Sequence, residues 1–247
     1  GMDQTVKLPA HADAAFARID QAVRGGLVER MRRVHARFDA EPQPLSFERP
    51  EGTPVTFRAD SFPLRMMAGV GAKNPDGIAQ LAGAYMALEA GQTAPVARLI
   101  WDFFYKNPLT MNGMTELMDL SSGISDARLA EVRRQAASAV TGNALNFPMP
   151  QLRGAVPGLD LGDAFRQEIR ARHPVLLLAG ELDVRTPLEE QAQATAGLAN
   201  LHRIVVRNGG HDLFEAHPDV PRLLVDFFSR RPVTVTELTL PPPSAGR

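Results

Sequence analysis

The sequence predicts an α/β architecture in which a mainly helical region precedes a short parallel βαβα unit. Three observations carry this reading. Residues 11–40 and 60–106 repeat apolar side chains at helical spacing. Pro174–Gly180 is a continuous apolar run, the pattern of a strand buried on both faces of a parallel sheet. Beyond it come a helical stretch (Leu188–Gly197), a second apolar strand (Leu201–Val206) and a last helix (Val220–Phe228). Strand, helix, strand in that order implies a right-handed crossover and parallel pairing.

Phe16, Ile19 and Val23 share one helical face, Gly25-Gly26 breaks it, and Leu27, Met31, Val34 and Phe38 resume it. Arginines fill the second helix between the apolar positions, so His35 reads as a solvated-face residue. Leu45, Phe47, Val55 and Phe57 alternate with polar residues around Pro50-Glu51-Gly52, which predicts a hairpin over residues 44–57. Helices are expected over Phe62–Val70, Pro75–Ala90 and Ala94–Tyr105, interrupted at Asn74-Pro75-Asp76 and Gly91-Gln92-Thr93. Thr115–Leu120 suits a strand or a short apolar connector, and Ser125-Asp126 an N-cap for a helix over Ala127–Val140. Residues 142–160 read as an ordered loop and Phe165–Arg170 as a short helix. The tail from Pro232 to Arg247 carries Pro241-Pro242-Pro243 and is expected to be extended. Gly1 before Met2 reads as the remnant of a removed tag, so residues 1–8 form a tag remnant and N-terminal segment. The expected organisation is then a helical region over 9–115, an α/β part over 116–231 and the tail over 232–247. Two parallel strands leave an open edge on each side, so something is expected to cover them.

With 247 residues and 44% hydrophobic content the chain can bury a sizeable core. A net charge of −1 gives no electrostatic footprint for nucleic acid or an acidic membrane surface. The absence of cysteine excludes disulfides and thiol catalysis. No run approaches the ~18 apolar residues of a membrane helix, and the polar start Gly1-Met2-Asp3-Gln4 is no signal peptide. The expected compartment is the bacterial cytoplasm, or the periplasm or exterior where a signal peptide lies upstream.

Asp183 lies three residues past the end of the first strand, and His211 follows Asn208-Gly209-Gly210 just past the second. Ligands of open α/β sheets bind outside the carboxyl ends of the strands, which is where both residues fall. There an aspartate can hold an imidazole in one tautomer while the imidazole takes a proton from a serine hydroxyl. Taken singly, each has a plainer explanation: Asp183 as cap of the helix near Pro187, and Gly-Gly-His as a tight connection. The pair, at equivalent strand ends and in that order, is more specific.

Pro174-Val-Leu-Leu-Leu-Ala-Gly-Glu-Leu-Asp183-Val-Arg-Thr-Pro187 resembles the acid-bearing segment of the α/β-hydrolase superfamily, closest to its tripeptidyl-aminopeptidase-like and proline-iminopeptidase-like members. Leu201–Phe214 resembles their histidine segment. Gly142–Pro148, Leu161–Arg166 and Leu240–Pro243 also look like that group. The resemblance implies a partial α/β-hydrolase fold: a helical lid over 9–115, then the C-terminal part of the hydrolase. It implies Asp183 as the acid and His211 as the general base of a triad ordered Ser, Asp, His along the chain. The nucleophile belongs in a Gly-x-Ser-x-Gly turn, and no such turn occurs here. The chain alone is therefore expected to be inactive, its serine lying upstream. Ser122 is the alternative within the chain, since Ser121-Ser122-Gly123 precedes Asp183. However, Leu120 stands where the nucleophile turn needs glycine, and Ser122 suits ordinary turn chemistry.

The resemblance further implies that acidic lid residues receive the free amine of a peptide substrate, which makes Glu116 and Asp119 candidates, although the family's Glu-Asp pair is not reproduced. Trp101, with Phe103, Phe104 and Tyr105, is either lid core or a substrate-pocket wall. His211, Glu215 and His217 lack a helix that would align them, so no metal site is expected. No cofactor is expected either. The expected partner is a small peptide or ester substrate. A reading of another class is a non-catalytic assembly module that pairs its open strand edge with a separate N-terminal half or a second copy of itself.

Overall fold

The computed structural model describes residues 6–106 and 113–243. Two helices come first among the described residues. Helix α1 (Pro9–Val23) buries Ala12, Ala15, Phe16, Ile19 and Val23. It stops where Arg24 and Gly26 adopt left-handed backbone, with φ of 50° and 60°. Helix α2 (Leu27–Ala40) buries Leu27, Met31, Val34, His35 and Phe38. The hairpin is β1 (Gln43–Glu48) against β2 (Pro54–Ala59), with Leu45 opposite Phe57 and Phe47 opposite Val55. Helices α3 (Phe62–Gly71), α4 (Pro75–Glu89) and α5 (Ala94–Ile100) follow, and α5 runs on into one π-turn at Trp101–Tyr105. Asn74 caps α4 by accepting from Gly77 N at 2.8 Å.

The apolar segment around Thr115–Leu120 is neither strand nor connector. It is helix α6 (Gly113–Ser122). Its short apolar run has no strand neighbour among the described residues, and a helix satisfies its backbone locally. Helix α7 (Asp126–Ala136) begins at the expected cap, with Ser125 Oγ accepting from Arg128 N at 3.2 Å. Residues 142–160 hold a 3₁₀ turn (Ala144–Asn146) and the one-turn helix α8 (Met149–Leu152). The short helix expected at Phe165–Arg170 lies earlier, as α9 (Gly162–Phe165).

Strands β3 (Ala171–Gly180) and β4 (Leu198–Arg207) pair in parallel, with Val175 beside Leu201 and Gly180 beside Val206. Helices α10 (Leu188–Ala194) and α11 (Asp219–Phe228) follow them in turn. The tail is not merely extended. Its β5 (Glu237–Thr239) pairs in parallel with Val205–Arg207, giving a sheet of order β3-β4-β5. That covers one edge of β4. The apolar run of β3 is less enclosed than its composition predicts: Val175–Leu178 are half-buried and Pro174 is exposed, because β3 has one strand neighbour among the described residues.

Two cores position the site. The larger is built from α1 to α5 and the hairpin, and it also takes in Leu182 and Val184 from beyond β3. The smaller joins Ile204, Val206, Leu238, Val220 and Leu223, so α11 closes one face of β4 and β5. No helix among the described residues is long and apolar enough to cross a membrane.

His35 is not on a solvated face; it is 2% exposed in the larger core. Its ring is accommodated because both nitrogens are occupied: Nδ1 donates to Val140 O at 3.0 Å, and Nε2 accepts the Tyr85 hydroxyl proton at 2.7 Å. Burial, helped by the Arg65 charge, pushes the His35 pKa down to about 4. The folded state therefore holds His35 neutral, while the unfolded chain protonates it below its ordinary value of about 6.5. Between those two values the unfolded state binds more protons, so this contribution is complete above pH ~6.5 and is lost as pH falls toward 4. Urea unfolding of wild type is expected to lose roughly 3 kcal/mol more than that of His35→Gln between pH 7 and pH 4. Parallel pH profiles for the two proteins would refute it.

Candidate functional site

The acid loop leaves β3 at Gly180 and reaches α10 at Leu188. Leu182 and Val184 are 1% and 0% exposed, anchored in the helical core on either side of Asp183. Asp183 itself is 3% exposed, a costly place for a carboxylate unless its oxygens are satisfied. Both are. Oδ1 accepts from the backbone N–H groups of Arg185 at 2.8 Å and Thr186 at 3.0 Å. Oδ2 accepts from the Thr186 hydroxyl at 2.5 Å and from His211 Nδ1 at 2.9 Å. The capping alternative and the imidazole partnership thus use different oxygens. Asp183 closes the turn before α10, whose own N-cap position is Pro187, and still has an oxygen for His211.

The histidine loop is held just as closely. Asn208 has a φ of 58°, so the chain turns sharply out of β4 into Gly209-Gly210. Leu182 N donates to Gly209 O at 2.8 Å, joining the two loops backbone to backbone. A Cβ at Gly180 would lie 1.9 Å from Gly210 O, and one at Gly210 would lie 2.3 Å from Lys73 O. His211 N donates to Lys73 O at 2.6 Å, so the α3–α4 turn of the helical body fixes the histidine backbone. Lys73 Nζ also pairs with Asp212 at 2.8 Å and holds that carboxyl below its ordinary range. Glu181 completes the joint, accepting from Arg207 at 2.7 Å and from Asn208 N at 3.0 Å.

With Nδ1–H directed at Asp183, the neutral ring has its basic lone pair on Nε2. The His211 side chain is 30% exposed, and Nε2 makes no hydrogen bond among the described residues. An imidazole so arranged can accept a proton at Nε2 while the carboxylate stabilises the resulting cation.

The structure brings some of the other sequence candidates to this region and leaves others apart. Asp119 lines a cleft of about 320 Å³ with Thr186, Arg185, Lys7 and Gln191. Burial raises its pKa, the Lys7 charge opposes this, and the Glu116 charge adds to it. Glu116 lies one turn earlier on α6, with Oε2 buried and no hydrogen bond to it among the described residues. Trp101 is elsewhere: its ring packs on Phe57 at 5.6 Å and Tyr105 at 5.8 Å, with the Arg49 guanidinium 5.9 Å from it. Ser122 ends α6, 7% exposed, its hydroxyl donating to Met118 O at 3.0 Å. No hydrogen bond joins Ser122 to His211 among the described residues. Glu215 is exposed, and His217 Nδ1 accepts from Asp219 N at 3.1 Å. Sequence reasoning missed Thr186 and the carbonyl of Lys73. Thr186 had a signal, since a threonine three residues after an aspartate can bond back to its carboxylate. The Lys73 contact spans 138 residues and had none.

A helical body on a parallel βαβα unit, with these two loops at the carboxyl ends of its strands, defines a partial α/β-hydrolase fold. Residues 162–233 match the family described as TAP-like protein. This segment is a TAP-like C-terminal region of the α/β-hydrolase superfamily, and the match implies a hydrolase-type function. No curated protein matches the chain, and no solved structure does.

Because a Gly180 methyl group would meet backbone rather than a movable side chain, Gly180→Ala is expected to destabilise the fold by roughly 3 kcal/mol and to part the two loops. Urea unfolding measures the first effect and the His211 ring resonances the second. A variant with unchanged stability and an unchanged His211 spectrum would contradict the account.

Proposed function

We propose that this chain is the acid-and-base half of a serine hydrolase that transfers an acyl group from a small peptide or ester to water. The observation that carries it is the 2.9 Å contact between buried Asp183 and half-buried His211, with Nε2 left open. Asp183 holds the ring and stabilises its cation. His211 takes the proton of a serine hydroxyl as the serine oxygen bonds to the acyl carbon. It gives that proton to the departing amine or alcohol, and water then repeats the sequence to free the acid. The serine comes from a Gly-x-Ser-x-Gly turn outside these 247 residues; Ser122, tied to its own helix, is set aside. Asp119 and Glu116 are the groups proposed to receive a substrate amine, which would make the parent protein an aminopeptidase. The helical region over 9–115 serves as its lid. Neither a metal nor a cofactor is needed for this chemistry.

Purified chain is expected to give no turnover of p-nitrophenyl esters or aminoacyl p-nitroanilides. Joined to a segment bearing the nucleophile turn, it is expected to turn over. There His211→Ala or Asp183→Asn should lower kcat by about 10³–10⁴. Turnover by the chain alone, or a joined protein indifferent to both substitutions, would defeat the reading.

A second reading, an assembly module, is favoured by β3, whose apolar residues stay half-buried beside an edge with no strand neighbour among the described residues. Under it the chain associates with itself or with a second segment. A clean monomer by size-exclusion chromatography with no binding of a hydrophobic dye would count against it.

A further inference from the structure

Two clefts share two cations, and one of the clefts reaches the residue bonded to Asp183. The first is the cleft of about 320 Å³ that reaches Thr186, the residue bonded to Asp183. The second, of about 190 Å³, is walled by Met66 and Val70 of α3 with Leu145 and Phe147. Helix α3 leads directly to Lys73, whose carbonyl holds His211 N. Lys7 and Arg185 line both clefts.

Neither Lys7 nor Arg185 has a carboxylate within ion-pair distance among the described residues, although most arginines of this chain do. The acidic groups nearby do not supply one. Glu190 is taken up by Leu8 N at 2.7 Å, His11 at 3.0 Å and Arg128 at 2.7 Å. Asp183 is saturated as described above. Asp119, on α6, lies in the first cleft without reaching either cation at 4 Å. Burial lowers the Lys7 pKa and the Arg185 charge lowers it further, against the opposing charges of Glu190, Asp119 and Asp183, so the two cations stand close in a partly desolvated place. Two neighbouring cations that those carboxylates act on without reaching at ion-pair distance gain from an anion held between them.

We propose that Lys7 and Arg185 form an anion subsite that selects acyl substrates bearing a carboxylate, with the apolar part of the same molecule against Met66, Val70, Leu145 and Phe147. As a specificity site it rests on the hydrolase reading above, because the ligand is taken to be that reaction's substrate or acid product. The planar guanidinium suits a carboxylate fork, and the ammonium adds a point charge at the common wall. An apolar acid therefore fills both parts, whereas inorganic phosphate has nothing for the second cleft.

The test is calorimetric titration of the full chain with hippurate, hippuramide (its uncharged amide) and inorganic phosphate. Wild type is expected to bind hippurate at least tenfold more tightly than hippuramide or phosphate. Lys7→Met and Arg185→Met should each reduce that preference about fivefold or more, with unchanged circular dichroism as the check on folding. His211→Ala should leave it intact. Equal binding of hippurate and its amide, phosphate competing as well as hippurate, or a preference surviving in both cleft variants would overturn the subsite. Hippurate selectivity lost in the cleft variants, in a protein that stays inactive when joined to a nucleophile segment, would sustain the subsite and count against the hydrolase reading alone.

Discussion

The site depends on a single close approach: the carboxyl ends of β3 and β4 continue into loops that touch backbone to backbone. Gly180 faces the carbonyl of Gly210 with no room for a methyl group. Leu182 N then bonds to Gly209 O, and Glu181 reaches back to Arg207 and Asn208 N. Asp183 and His211 are one residue beyond these fixed points on each side. Their 2.9 Å separation is thus set by main-chain contacts rather than by the mutual attraction of two mobile side chains. This is the difference between a preorganised pair and an incidental ion pair, since the ordering cost is met in folding and not at each encounter with a substrate.

The larger elements were legible because each repeats one signal many times. The spacing of Phe16, Ile19 and Val23 announces α1, and the alternation of Leu45, Phe47, Val55 and Phe57 announces the hairpin. The strand-end placement of Asp183 and His211 followed from two apolar runs and their order. What stayed hidden depended on distant partners. His35 looks solvated among arginines, and only Val140 O and Tyr85, which lie far off in sequence, make its burial tolerable. The same holds for Lys73, whose carbonyl meets His211 N. Residues 237–239 carry too short a pattern to announce a strand and become one because β4 offers an edge. In the α6 segment a short apolar run carried no decisive period, and the ambiguity resolved toward local hydrogen bonding.

The helical region is more than a cover. Leu182 and Val184 flank Asp183 and are buried in the core that α1 to α5 build. Buried Glu190 on α10 gathers Leu8 N, His11 and Arg128, drawing together the N-terminal segment, α1 and α7. Arg18 of α1 donates to Glu181 O at 2.9 Å and pairs with Glu189 at 2.8 Å. Each contact joins a helix of the body to the acid loop or the helix after it. Displacement of the body would withdraw the anchors of Asp183 and, through Lys73, of His211 together.

Burial rises along β3 toward its carboxyl end, and along β4 as far as Val206, before exposed Arg207. Arg172–Pro174 and Ala199–Asn200, at the amino ends of β3 and β4, are exposed; Val175–Leu178 are half-buried; Ala179, Gly180, Ile204 and Val206 are buried. The helical body closes over the carboxyl ends of the strands, and the opposite ends of the sheet remain open. Apolar side chains in the half-covered stretch contribute less than their full transfer free energy, so any neighbour that covered the β3 edge left without a strand among the described residues would gain from doing so. The end that bears Asp183 and His211 has no such need. Leu182 and Val184 are packed within the helical core there, and its buried carboxylate already has four donors. The geometry of the pair and the incompleteness of the sheet are therefore separable: the first is secured by the helical core, and the second leaves room at the other end of the same strands.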